Sequence, residues 1–312
     1  MGVTRQDIFG SGDGAQPAAA GTYGEAPSGY RLPDGLRLGE VRLHVTSLER
    51  SLAFYQQVLG LNVLRRDDTS ADLGAVGETR PLVTLLAGAD ATARARRQLG
   101  LYHFAILVPD RPSLGRFVRH LGENGIRAGA SDHLVSEAFY LQDPDDHGIE
   151  VYADRPRDAW KRVNRELMMA SDPVNLPDLL ASAGEARCSG MPAGTVMGHL
   201  HLHVGDLDGA RAFYSDGLGF DRMVWQYPGA LFLAAGGYHH HLGTNTWAGA
   251  QARPAALSAP RLLEWTIELP LATDIVALAA QLTQAGIAFA RDGNALVTAD
   301  PWGTQLRIRA AA

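Results

Sequence analysis

Two stretches of this chain are copies of one another, and an internal repeat constrains the fold more than any other feature a sequence can carry. Residues 41–60 read VRLHVTSLERSLAFYQQVLG, and residues 200–219 read LHLHVGDLDGARAFYSDGLG. Each copy holds a His-Val strand end, a helix carrying Phe-Tyr, and a Leu-Gly stop. The copies differ in residues able to bind ligands. His199, His201 and His203 open the second, where the first offers Glu40, Arg42 and His44. A repeated scaffold with such differences implies that only some copies hold a site.

Periodicity extends the repeat to four units. Val41, Leu43 and Val45 alternate with polar residues, the pattern of a half-buried strand. Ser47 stands at an N-cap position, Leu52, Phe54, Tyr55, Val58 and Leu59 follow at helical spacing, and Gly60 stops the helix. The apolar runs 62–65 and 82–86 read as further strands, completing one βαβββ-like unit. A second unit opens with the strand 101–106, has its helix at 114–124 with a stop at Gly125, and closes with the strand 148–152. Unit three spans about 197–247, and unit four opens at 262–267. Ala285-Gly286-Ile287 in unit four matches Asn124-Gly125-Ile126 in unit two, and Asp300-Pro301-Trp302-Gly303 matches Asp143-Pro144-Asp145-Asp146. Phe54, Tyr55, Phe213 and Tyr214 read as core aromatics.

The 312 residues suit roughly two domains. The expected division is a disordered leader over 1–36, a first domain over 37–155, a partly helical linker over 156–195 that covers or ties the halves, and a second domain over 196–312. The leader is rich in Gly, Ala and Ser without an apolar core, unlike a signal peptide. A net charge of −6 with no dense basic run argues against nucleic acid or an anionic membrane as partner. The cluster Arg94-Ala95-Arg96-Arg97 reads as a solvated loop or helix face. No apolar stretch is long enough to span a bilayer. The lone cysteine, Cys188, excludes an intrachain disulfide framework, suits a reducing, cytoplasmic compartment, and has no evident partner that would make it a nucleophile.

The repeat pattern, with its Phe-Tyr helix and Leu-Gly stop, and the Asp-Pro-x-x-x-x-Ile-Glu closing strand resemble the vicinal oxygen chelate superfamily of glyoxalase I, bleomycin-resistance proteins and extradiol dioxygenases. The resemblance runs from about residue 37 to 310. It is strongest toward two-domain bacterial catechol 2,3-dioxygenase-like proteins, in the stretches GLYHFAI (100–106), SDHLVSE (131–137), GHLHLHV (198–204) and GGYHHHLG (236–243). It implies an α+β fold of four βαβββ modules forming two tandem glyoxalase-like domains, with mixed, cup-shaped sheets. It also implies metal ligands on the first and last strand of each unit.

Those positions are Glu40, His103, His199 and Glu264 on first strands, and Thr84, Glu150, His240 or His241, and Arg307 on last strands. Arg307 is no cation ligand, because guanidinium stays protonated and has no acceptor. The expected working cup therefore joins units two and three, with metal ligands His103, Glu150 and His199, and leaves units one and four as a structural cup. Two imidazoles and a carboxylate on one face suit iron(II), with manganese(II) or another divalent metal as substitutes. The resemblance assigns His240 as the acid/base residue and Tyr140, ten residues before Glu150, as the substrate tyrosine. His133 is a substrate-oxygen contact, and His241 a fourth-ligand or substrate-contact candidate.

The expected function is an extradiol ring-cleavage dioxygenase taking a catechol-like small aromatic and dioxygen, with no nucleic acid or membrane partner; a homo-oligomer is left open. The alternatives are a glyoxalase-like isomerase or lyase using the same cup, and an aromatic-ligand or drug-sequestering resistance protein. A competing ligand set is His199, His241 and Glu264 within the second half, opposed by Arg307 facing the same cavity; pairing of Glu264 with Arg307 in a metal-free cup is the preferred reading. Plainer readings also have their place. His201 and His44 read as packed or surface residues, the His239–His241 run as a surface metal cluster or an edge device if not catalytic, and His147 and His120 as solvent-facing.

Overall fold

The computed structural model describes residues 3–10, 14–88 and 97–311. Arg94, Ala95 and Arg96 lie outside the described residues; Arg97 is exposed.

Each unit forms by the same local logic. In unit one, the first strand, Arg37–Val45, buries Val41, Leu43 and Val45 on one face. Ser47 caps the helix Leu48–Gln57 by accepting from Arg50 N–H, which satisfies one of the four donors a helix start leaves open. Gly60 takes a positive φ of 73° to end it. Unit two repeats this with the strand Gln98–Leu107, a helix Arg111–Glu123 capped by Asp110, and a closing strand Gly148–Asp154. Unit three differs in its helix, which begins as Leu207–Ala210 and continues as the wider π-helical stretch Arg211–Gly217. Even so, Phe213 and Tyr214 are buried there as expected, as Tyr55 is in unit one.

The units pair across the halves of the chain. One mixed sheet joins units two and three through antiparallel pairing of Gln98–Leu107 with Val196–His203. The other joins units one and four through Arg37–Val45 and Arg261–Leu269. In each unit the closing strand runs parallel to the first and beside it, so both ligand-bearing strands of two units meet at the centre of one sheet.

Polar latches run the other way, within each half. Tyr55 O–H on the helix of unit one donates to Asp143 Oδ2 of unit two at 3.1 Å, and Tyr214 O–H of unit three donates to Asp300 Oδ2 of unit four at 2.9 Å. The repeated Phe-Tyr and Asp-Pro motifs are thus two ends of one contact. His147 completes the first latch: its Nδ1 lies 2.9 Å from Asp143 and it is fully buried, not solvent-facing as its polar flanks suggest. The turn after Asp143 folds the imidazole back beneath the carboxylate. His120 is half-buried, its Nε2 3.0 Å from Gln57 O.

One further expectation needs correcting. Residues 14–36, read as part of a disordered leader, are ordered: Gln16–Pro17 pairs with Lys161–Val163, and Leu32 and Leu36 join the core. Burying each such side chain contributes about 1.5–3 kcal/mol toward holding the segment in place. The stretch between the halves is partly helical and packs into the interior. It carries the short helix Leu176–Ser182 and buries Trp160, Leu167, Met168, Met169 and Ala170.

Candidate metal centre and aromatic cavity

Strand alternation puts His103 of unit two and His199 of unit three on the concave face of their shared sheet, with Glu150 on the adjoining closing strand. The Nε2 atoms of His103 and His199 stand 3.0 and 3.1 Å from the same Glu150 Oε2. All three residues are buried, and their ligand-capable atoms lie within 4.8 Å of one another. Among the described residues this is the one such cluster of three or more. Glu150 Oε1, His103 Nε2 and His199 Nδ1 are buried with no hydrogen-bond partner. Such orphaned atoms are costly unless something is bound, and a divalent cation between the imidazoles and the carboxylate would take up the first two.

The protonation state fits that use. Burial lowers the His199 pKa to about 4 against the opposing pull of Glu150. Burial alone would raise Glu150, but the imidazoles of His199 and His103 hold it well below the usual carboxylate range. A neutral imidazole beside an ionised carboxylate is the form that ligates metal.

A cavity of about 500 Å³ opens over this cluster, walled by Tyr102, Tyr227, Phe232 and Trp247. Tyr140 and His133 sit on it together. His133 Nδ1 lies 2.6 Å from Ala170 O and its Nε2 2.5 Å from the Tyr140 hydroxyl. A carbonyl only accepts, so Nδ1 carries the proton and, in neutral His133, Nε2 accepts from Tyr140. Burial, then Glu150, push the Tyr140 pKa well up, so the phenol stays protonated. The stretch between the halves supplies Ala170, which places that segment over the cup as a roof.

His240 also lines the cavity, its ring 4.0 Å from that of His199. Behind it runs a chain: Asp154 Oδ1 lies 2.9 Å from His239 Nε2, and His239 Nδ1 lies 2.7 Å from His240 Nδ1. His239 is fully buried, so the triple histidine is neither a surface cluster nor an edge device. With His239 Nε2–H donating to Asp154, its Nδ1 accepts from His240, and His240 Nε2 is left as an acceptor.

His241 does not belong to the cavity. Its side chain turns to the opposite face, where Nδ1 accepts from Ala235 N–H at 3.2 Å and the ring packs on Tyr238. Neither it nor His240 takes the fourth ligand position: strand register puts Gly243 beside His201, as Glu150 lies beside Ala105. The competing set of His199, His241 and Glu264 is not assembled, because Glu264 lies in the other sheet and accepts from Arg307 Nε at 2.8 Å. His201, read as a packing residue, lines the cavity. Its place two residues after His199 was the available signal, since that spacing shares a strand face. Nothing so local marked Ala170, Tyr227 or Trp247, which come from distant segments. His44 is tied to Ala259 O at 2.9 Å.

These features define a four-unit protein built on two large mixed sheets, with a buried two-histidine, one-carboxylate cluster. The chain belongs to the Glyoxalase/Bleomycin resistance protein/Dioxygenase superfamily, whose family model matches residues 37–151 and 196–305. It is 46% identical over 275 residues to a catechol-2,3-dioxygenase of Bacillus subtilis (strain 168), covering 86% of this chain and 95% of that one. A lactoylglutathione lyase of Neisseria meningitidis is 35% identical over 122 residues, 37% of this chain and 88% of its own. Among solved structures, glyoxalase I from Zea mays is similar in fold, with a TM-score of 0.52, 16% identity, and coverage of 88% of this chain and 92% of that one.

Proposed function

We propose that this protein is a metal-dependent extradiol-type ring-cleavage dioxygenase acting on a catechol-like small aromatic. The observation that carries the reading is the buried cluster of His103, Glu150 and His199 at the floor of an aromatic-walled cavity. The 46% identity to a protein named for catechol 2,3-dioxygenation supports it. His103, Glu150 and His199 would hold iron(II), with manganese(II) or another divalent ion as the alternative. Bound there, the metal would supply open positions for both oxygens of a catecholate and for dioxygen.

The remaining residues bind, orient and move protons. Tyr102, Tyr227, Phe232 and Trp247 offer ring edges and faces against which a small aromatic packs, in a cavity of ordinary ligand size. Tyr140, with its proton committed to His133 Nε2, keeps a lone pair to accept from a substrate hydroxyl. His240 Nε2 accepts the second hydroxyl proton, and His239 and Asp154 fix its tautomer from behind. Asp154 is partly exposed, so the chain leads toward water. His241 has no part in this scheme. The lone Cys188 supports a cytoplasmic enzyme.

Oxygen uptake by anaerobically iron-reconstituted protein given catechol, followed with ultraviolet-visible spectra, tests the reading. Stoichiometric uptake with a new yellow ring-fission absorbance is expected. One tightly bound metal per chain without uptake would overturn it in favour of the isomerase or lyase; no bound metal would favour a sequestering protein.

A further inference from the structure

Units two and three are related by a twofold, and one departure from it bears directly on the cavity. Phe104 pairs with Leu200 and Ala105 with His199, so the relation maps His103 onto His199 and Ala105 onto His201. The closing strands then place Glu150 beside Ala105 and Gly243 beside His201. Unit two sets a small residue next to a carboxylate, and unit three sets an imidazole next to a glycine. A Cβ built on Gly243 would stand 2.9 Å from Cγ and Cδ2 of His201 and 3.0 Å from its Nδ1. The imidazole therefore lies over the place where a fourth inward side chain would start.

The hydrogen bonds around Asn245 fix which His201 nitrogen carries the proton. Trp247 backbone N–H donates to Asn245 Oδ1 at 3.0 Å. A backbone amide only donates, so that atom is the amide oxygen. The other amide atom is then Nδ2, and it donates to His201 Nε2 at 2.9 Å. An imidazole nitrogen that accepts has no proton, so neutral His201 carries its proton on Nδ1. Among the described residues Nδ1 has no hydrogen-bond partner, and the ring lines the cavity 5.0 Å from that of His103.

We propose that His201 is a substrate-contacting residue, its Nδ1–H locked by Asn245 as a donor to an anionic oxygen held in the cup. This deepens the dioxygenase reading and rests on it. Gly243 makes the room, and Asn245 is the positioning residue.

The test compares four proteins loaded with zinc, which is diamagnetic: wild type, Asn245→Asp, His201→Asn and His201→Gln. Histidine tautomers are read by carbon and nitrogen NMR, catechol binding by anaerobic calorimetry, and metal content by elemental analysis. Wild type should show the Nδ1–H form at His201. Asn245→Asp offers Nε2 an acceptor, so it should flip the tautomer and weaken catechol binding about tenfold at unchanged metal content, the worth of one hydrogen bond to an anion. An asparagine amide reproduces the Nδ1 donor and a glutamine amide reproduces Nε2. His201→Asn should therefore bind catechol nearly as wild type does, and His201→Gln should weaken like Asn245→Asp. An Nε2–H form in wild type, or undiminished binding in Asn245→Asp, would overturn the proposal. Equal loss in the two amide variants would assign His201 to packing alone and overturn it too. Failure of the dioxygenase reading would show separately, as wild type that binds no catechol, and would remove the contact with it.

Discussion

The two cups are built on one plan and neutralise their inward carboxylates in opposite ways. In the sheet of units two and three, Glu150 faces two buried imidazoles, and among the described residues no arginine or lysine is hydrogen-bonded to it. In the sheet of units one and four, Arg307 donates to Glu264 at 2.8 Å and to Asp292 at 2.8 Å. Arg309 reaches Glu40 at 2.8 Å and Glu268 at 3.0 Å. Arginine carries its charge permanently on a rigid donor fork, so it neutralises the carboxylates of this cup and takes up their oxygens. Imidazoles offer lone pairs, so their cup asks for an added cation. Duplication supplied the frame twice, and the charge on a few strand positions decides which copy is free to do chemistry.

Exchanging single residues between the plans gives the largest effects. Glu150→Gln removes the one anionic ligand, and metal retention should fall by roughly a hundredfold or more, exceeding the loss typical of outer-sphere changes. Glu264→Gln should leave metal content nearly intact. Metal analysis after dialysis measures both, and loss in the Glu264 variant alone would reverse the assignment of the cups. Next in size is a double variant, His201→Ala with Gly243→Glu, which gives unit three the small-residue and carboxylate pair of unit two. It should keep bound metal and lose catechol-dependent oxygen uptake, because a fourth protein ligand occupies a position substrate needs. Uptake at wild-type rates would show that Gly243 is not at the ligand position.

Most of this contrast was legible in the chain. The repeat at 41–60 and 200–219 located the strands, and Arg307 at a ligand position excluded metal from one cup because its chemistry is unconditional. What could not be read was side-chain direction after a bend. His240 and His241 look equivalent in sequence, yet only His240 lines the cavity, because adjacent residues point to opposite sides; both precede the closing strand Leu242–Asn245, so Gly243 and neither histidine stands at Glu150's counterpart. His147 was misread for a related reason: its buried partner Asp143 is found only once the turn closes. The roof over the cup, with Ala170 and Met169, comes from a segment without periodicity, so no pattern announced it.

Smaller effects test the structural cup and the latches. Arg307→Ala leaves Glu264, largely buried, without its nearest cation, and should cost about 1–3 kcal/mol in urea unfolding, the figure being discounted for the partial exposure of Arg307. Metal content should not change. The latches should respond to pH with opposite sign. At Asp143, burial would raise the pKa, but His147 and two backbone N–H groups hold it below the ordinary carboxylate value. A depressed folded pKa contributes stability at neutral pH that is lost as pH falls through that folded value. Burial dominates at Asp300, which lacks a histidine, and raises its pKa, so ionising it at neutral pH costs stability. Asp143→Asn should therefore destabilise by about 1 kcal/mol at pH 7 and by less in acid, whereas Asp300→Asn should be close to neutral or slightly stabilising at pH 7. Equal losses in the two variants across pH would mean that His147 adds nothing to its latch, and that the halves are held by two interchangeable tyrosine contacts.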